Sequence, residues 1–237
     1  MKQKQKKQQK LVIFDIDQTL IDVIKFHDKA YGRTLKEVYG VVGGSLFDID
    51  FPGKTLKQTM AEIAELKGIK KAAVKKNIKK ALESYQKNLA KCLPKKIGKR
   101  ILPGVRNLLI ELKKNCYVLG IMTGNTKTTG KNILKNAGLY KYFSVFAYGG
   151  DTTKRSMGLL GVALKQAKII NKKGLKGEDI VVIGDSIRDV RAGKPYKTKT
   201  IAVQTGYHSR KKLAKEKPDY IFKNLKNYKK VLEAING

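Results

Sequence analysis

The stretch Leu11-Val12-Ile13-Phe14-Asp15-Ile16-Asp17-Gln18-Thr19-Leu20 runs four apolar residues directly into two aspartates separated by one residue. A short continuous apolar run suits a parallel strand covered on both faces, and ligands of open α/β sheets gather at the carboxyl ends of such strands. The sequence therefore predicts a buried strand that delivers paired acids to a site. Gln18 to Asp22 is predicted to be a loop, because the chain must leave the sheet to hold both acids at its end.

Working outward, residues 22–99 show helical periodicity and no strand pattern. Val74, Ile78, Ala81, Leu82, Tyr85 and Leu89 form one apolar stripe, with Lys75, Lys76, Lys79, Lys80 and Lys87 on the other face. Leu56, Met60, Ile63 and Leu66 form a second stripe, and Phe26 to Val38 a weaker third, interrupted by Gly32. Glycines and Phe51-Pro52-Gly53 mark irregular chain between Gly40 and Gly53. From Pro103 the pattern alternates. A helix carries Val105, Leu108, Leu109 and Leu112, a strand runs from Tyr117 to Met122, and a helix ends near Ala137 with a Gly138 cap. Strands over Ser144–Ala147, Asp179–Gly184, Thr200–Val203 and Tyr220–Phe222 follow, with helices over Leu159–Ile170 and at the end of the chain. Strands alternating with helices imply an α/β fold: a parallel sheet with helices on both faces, carrying a helical insertion after its first strand.

With 237 residues and 41% hydrophobic content, the chain is long enough for one substantial core and a second, smaller domain. The Lys and Gln run in Met1 to Lys10 resembles no signal peptide, and no apolar run reaches membrane-spanning length, so a cytoplasmic protein without membrane contact is expected. Cys92 and Cys116 have no metal-site spacing and read as reduced thiols. There are 52 Lys plus Arg against 19 Asp plus Glu, a net charge of +33. Such an excess attracts polyanions at low salt, yet it is mostly dispersed Lys, so weak, non-specific nucleic-acid binding is the expectation. His27 and His208 have no metal-ligand partners at suitable spacing and read as surface or insertion residues.

Four predicted strand ends carry complementary groups: Asp15 and Asp17, Thr123 with Gly124, Lys154 or Arg155, and Asp185 with Asp189. Clustered carboxylates suit Mg²⁺, which binds oxygen ligands alongside substrate phosphate. A hydroxyl and main-chain N–H groups at a helix start suit phosphate oxygens, and a nearby cation offsets the accumulated negative charge.

These residues carry a resemblance. Phe14-Asp15-Ile16-Asp17-Gln18-Thr19-Leu20 resembles the Asp-x-Asp-x-Thr signature of the haloacid dehalogenase superfamily of phosphohydrolases, Met122-Thr123-Gly124-Asn125 its second motif, and Val181 to Asp189 its fourth. The third motif departs from the common pattern, with Lys154 or Arg155 in place of a Lys-Pro pair. The insertion resembles the small helical cap of the phosphoglycolate phosphatase-like branch, and Gly53-Lys54-Thr55 its substrate-facing Gly-x-Thr segment.

The resemblance implies a Rossmann-like core over residues 11–21 and 100–237, a cap over 22–99, a basic tail over 1–10, and an Mg²⁺-dependent phosphatase acting on a small phosphorylated metabolite. It implies Asp15 as nucleophile and Asp17 as general acid and base. The metal would be held by Asp15, the main-chain carbonyl of Asp17, and Asp185, supported by Asp189. Thr19, Thr123, Gly124, Asn125, Lys54, Thr55 and Lys154 or Arg155 would lie around phosphate and substrate. A phosphosugar mutase, or a nucleic-acid end phosphatase or binding protein using the basic insertion, are the alternatives.

Overall fold

The strand that ends at Asp15, β1 (Leu11–Phe14), has all four side chains fully buried. The computed structural model describes residues 10–151, 156–170 and 175–237. After β1 come three helices, α1 (Ile24–Tyr39), α2 (Leu56–Leu66) and α3 (Lys71–Cys92), and then α4 (Val105–Lys114), β2 (Val118–Thr123), α5 (Lys127–Asn136) and β3 (Val145–Tyr148). The remainder is α6 (Ser156–Ile170), β4 (Ile180–Gly184), α7 (Ile187–Gly193), β5 (Lys199–Val203), α8 (Arg210–Lys215), β6 (Tyr220–Phe222) and α9 (Tyr228–Asn236). The strands form one parallel sheet in the order β3-β2-β1-β4-β5-β6. The chain builds outward from β1 through β2 to β3, then returns to place β4 on the other side of β1. That reversal opens a crevice at the carboxyl ends of the central strands, where ligands of such sheets bind.

Side-chain alternation divides the core between the two faces of the sheet. Leu11 and Ile13 pack with Val182 against Leu159, Leu160 and Ala163 of α6. Val12 and Phe14 face Leu108, Leu109 and Leu112 of α4 and Val231 and Ile235 of α9. The buried face expected for α4 is present in full, as is the left-handed Gly138 after α5.

The inserted helices leave and rejoin the core at one place. Ile21 bridges Ile101, the Asp22 N–H donates to the Arg100 carbonyl at 2.9 Å, and the Leu102 N–H donates to the Leu20 carbonyl at 3.0 Å. Two expectations are corrected within the insertion. α1 runs unbroken through Gly32, where a Cβ would lie 3.2 Å from the Gly44 carbonyl oxygen, so this glycine gives the following loop room and does not end the helix. Leu66 is 58% exposed: ten residues beyond Leu56 it falls at the edge of the stripe, and the buried face of α2 ends with Ile63 and Ala64. On α3, Val74, Ala81, Tyr85 and Leu89 are buried, while the five lysines of the opposite face are exposed. Among the described residues no helix is long and apolar enough to cross a membrane.

Gly104 caps α4 at φ +85°, and a Cβ there would collide with the Leu225 carbonyl. Gly104→Ala adds both left-handed strain and a backbone clash. It is expected to cost at least about 2 kcal/mol, read as a lower denaturant midpoint with unchanged slope.

Candidate active site

Asp15 follows β1 directly, and its N–H donates to the Ile183 carbonyl of β4 at 3.1 Å, so the sheet ladder itself fixes this residue. β4 ends one residue before Asp185, which is buried and accepts from the Thr19 hydroxyl at 3.1 Å. Ser186 begins α7, and Asp189 closes a reciprocal cap there, accepting from the Ser186 N–H at 3.0 Å and the Ser186 hydroxyl at 2.6 Å. One short helix thus presents Asp185 and Asp189 on the same side as Asp15.

Carboxylate oxygens of Asp15, Asp185 and Asp189 lie within 4.8 Å of one another. Burial, then the charges of Asp189, Asp185 and Asp17, push the Asp15 carboxyl well above its usual range. Burial and Asp189 do the same to Asp185, and burial raises Asp189. Like charges held this close call for a cation, and an all-oxygen donor set fits a hard divalent ion. Two glycines make the crowding possible. A Cβ on Gly206 would strike the Asp185 carboxylate, and one on Gly184 would strike Asp189.

Asp17 stands outside that cluster. Its carboxylate accepts from the Asn125 amide at 2.5 Å and lies 3.0 Å from His27 Nε2. Thr123 ends β2 with its hydroxyl accepting from the Asn125 N–H at 3.3 Å and the Asn125 amide at 3.1 Å. Gly124 meets the insertion at close range: its carbonyl accepts from the Leu56 N–H at 3.0 Å, and a Cβ would strike the Lys54 carbonyl.

Asp15, Asp17, Asp185, Thr123, Gly124 and Asn125 line a cavity of about 80 Å³ whose opposite wall, from Ile24 to Thr59, belongs to the insertion. Lys54 lies on this wall with its ammonium paired to Glu62. Thr55 caps α2 instead, accepting from the Gln58 N–H at 3.3 Å and donating to the Gln58 side chain at 3.1 Å. Lys154 and Arg155 lie outside the described residues.

The family model for haloacid dehalogenase-like hydrolases matches residues 12–203, from β1 through β5. The chain belongs to this family. A phosphoglycolate phosphatase of Synechococcus elongatus is 27% identical over 140 residues, 59% of this chain and 61% of that relative's length. Pyrophosphatase PpaX of Bacillus mycoides is 25% identical over 95% of this chain and 98% of its own. In fold, the crystal structure of a β-phosphoglucomutase from Clostridium difficile superposes with a TM-score of 0.75 over 96% of this chain and 97% of that one, at 16% identity.

Within this haloacid dehalogenase-like hydrolase, both histidines are buried: His27 belongs to the insertion, as one of the two readings had it, on the inner face of α1, whereas His208 follows β5 in the core and departs from both readings. His27 bridges Asp17 and the buried Tyr85 hydroxyl of α3. Burial pushes the Tyr85 phenol well above its usual range, so it keeps its proton and shares a hydrogen bond with His27 Nδ1, while Nε2 faces the acceptor oxygen of Asp17. The signal lay in spacing: Ile24, His27, Tyr31 and Leu35 share the buried face of α1, so a polar ring sat on an apolar stripe. His208 accepts the Ile187 N–H at Nδ1 and therefore donates from Nε2 to Asp50 of the insertion, at 3.1 and 3.2 Å. Burial lowers its pKa.

Proposed function

We propose that the protein is an Mg²⁺-dependent phosphatase that hydrolyses a small phosphate monoester through an aspartyl-phosphate on Asp15. The observation that carries this reading is the convergence, in one cavity at the carboxyl end of a parallel sheet, of Asp15 with a second acid, Asp17, held by Asn125 and His27 apart from the carboxylate cluster. The family membership and the activities named for the relatives agree with it.

In the first step an Asp15 oxygen attacks phosphorus and the ester oxygen leaves with a proton from Asp17. In the second, Asp17 takes a proton from water, which attacks the acyl phosphate and regenerates the Asp15 carboxylate. Thr123 and the N–H groups of Gly124 and Asn125 hold phosphoryl oxygens, aided by Lys154 or Arg155. Thr19 serves by fixing Asp185. Asp15, Asp185 and the Asp17 carbonyl would hold Mg²⁺, with Asp189 in support, and the ion supplies charge compensation for a dianion brought to an acidic site.

Residues 22–99 act as a cap that opens at the paired neck around Ile21 and Ile101 and closes over the substrate to limit water, the core being 11–21 and 100–237. Release of inorganic phosphate from a panel of small esters, absent in Asp15→Asn, tests the reading. Quantitative transfer to a sugar without phosphate release would indicate a mutase instead.

His27 acts here as a positioning residue for Asp17. His27→Ala is expected to lower kcat by roughly 10- to 100-fold with KM nearly unchanged. His27→Gln, which keeps a donor toward Asp17, should recover part of the loss. Equal losses in both variants would reduce His27 to packing.

A further inference from the structure

The two walls of the cavity differ in charge, and on the phosphatase reading this difference bears on the leaving group. The phosphoryl group belongs on the floor with Asp15, Thr123 and Gly124, so the departing alcohol faces the roof built by the insertion. Ile24, Leu46, Phe51 and Leu56 give that roof an apolar surface. Its uncharged hydroxyl side chains are Tyr31 and Thr59, which bond to each other.

Two roof residues among those described could carry positive charge. His27 is buried and engaged on both ring nitrogens, by Tyr85 and Asp17. Lys54 is paired with Glu62 at the rim, beside a second depression lined by Lys54, Glu62, Glu65, Lys71 and Arg188; Lys71 and Arg188 do not line the cavity itself. A carboxylate or second phosphate on the leaving group would therefore enter an apolar roof above Asp15 and Asp17 with no unpaired lysine or arginine among the described residues that line the cavity. A charge moved from water into such surroundings without a partner is strongly disfavoured.

We propose that this site selects phosphate monoesters of small, uncharged alcohols and discriminates against esters whose leaving group is itself an anion, phosphoglycolate and pyrophosphate among them. The specificity elements are the apolar roof and the Lys54–Glu62 pair, which engages the one lysine among the described residues that line the cavity. The hydroxyls of Tyr31 and Thr59 are the groups left to meet a hydroxyl of the alcohol.

The test is kcat/KM of the full chain with Mg²⁺ for 2-hydroxyethyl phosphate against phosphoglycolate, which differ by CH₂OH in place of carboxylate, with pyrophosphate and p-nitrophenyl phosphate alongside. The neutral ester is expected to be preferred over phosphoglycolate and pyrophosphate by at least about tenfold. Glu62→Gln, which unpairs Lys54, should narrow that ratio by raising the phosphoglycolate value. A smaller or inverted ratio in the wild type overturns the proposal, and so does a ratio that Glu62→Gln leaves unchanged. If p-nitrophenyl phosphate is hydrolysed in that case, the charge argument alone falls. If no ester releases phosphate above the Asp15→Asn level, the phosphatase reading falls with it.

Discussion

Asp15→Asn is expected to reduce phosphate release by at least about 10³-fold, because the amide is nearly the size of the carboxylate but offers no anionic oxygen to attack phosphorus. The fold should survive, since the ladder bond from the residue 15 N–H to Ile183 does not involve the side chain. Stability gives a second readout. Burial and the neighbouring acids raise the Asp15 carboxyl in the folded chain, so the folded state binds this proton more tightly than the unfolded state does. Stability then falls as pH rises past the unfolded value of about 3.9, and the loss is complete once pH exceeds the raised folded value. Asn cannot ionise, so in chelator at neutral pH the variant should melt at or above the wild-type temperature. Wild-type-like turnover by the variant would end the mechanism. A lower melting temperature in chelator would show that ionised Asp15 is held by a partner and is not repelled.

How much of this was legible in the sequence follows from the range of each interaction. β1 could be read because a strand covered on both faces must be apolar at every position, and Leu11 to Phe14 are. α4 could be read because its buried face repeats at helical spacing. The order of acids and threonine along the chain placed Asp15, Asp17, Thr123, Asp185 and Asp189 at strand ends, and the sheet brings those ends together. What escaped depends on partners far away in sequence. His27 takes its place from Tyr85 on α3, and His208 from Asp50 and Ile187. Gly124, Gly184 and Gly206 are needed because other chain segments approach them, and a single sequence does not display that approach. Gly32 misled for the same reason, since its small size suits a neighbouring carbonyl and not a helix end. The motif around Lys54 does not display its pairing with Glu62 of α2, which engages its ammonium at the rim of the cavity.

Removing divalent metal is expected to abolish turnover, with Mg²⁺ restoring it and Ca²⁺ inhibiting. Asp15 is asked to be both a nucleophile and a member of a carboxylate cluster, and without a cation its neighbours favour the protonated, unreactive form. Mg²⁺ holds oxygens in a compact octahedron at about 2.0–2.1 Å, whereas Ca²⁺ takes more ligands at about 2.3–2.6 Å and would displace nucleophile and phosphate relative to each other. Binding also has a consequence that needs no substrate. An ion bound only by the folded chain at 100 times its Kd adds about 2.7 kcal/mol of stability. At roughly 2–4 °C per kcal/mol for a chain of this size, Mg²⁺ should raise the melting temperature of the wild type by several degrees. Asp185→Asn deletes a charge from the cluster while leaving Asp15 in place, so it should lose both the metal-dependent turnover and most of that thermal shift. Full activity in metal-free buffer would refute metal dependence outright. A thermal shift that survives in Asp185→Asn would place the ion away from the three carboxylates and leave their mutual repulsion to be relieved by protonation alone.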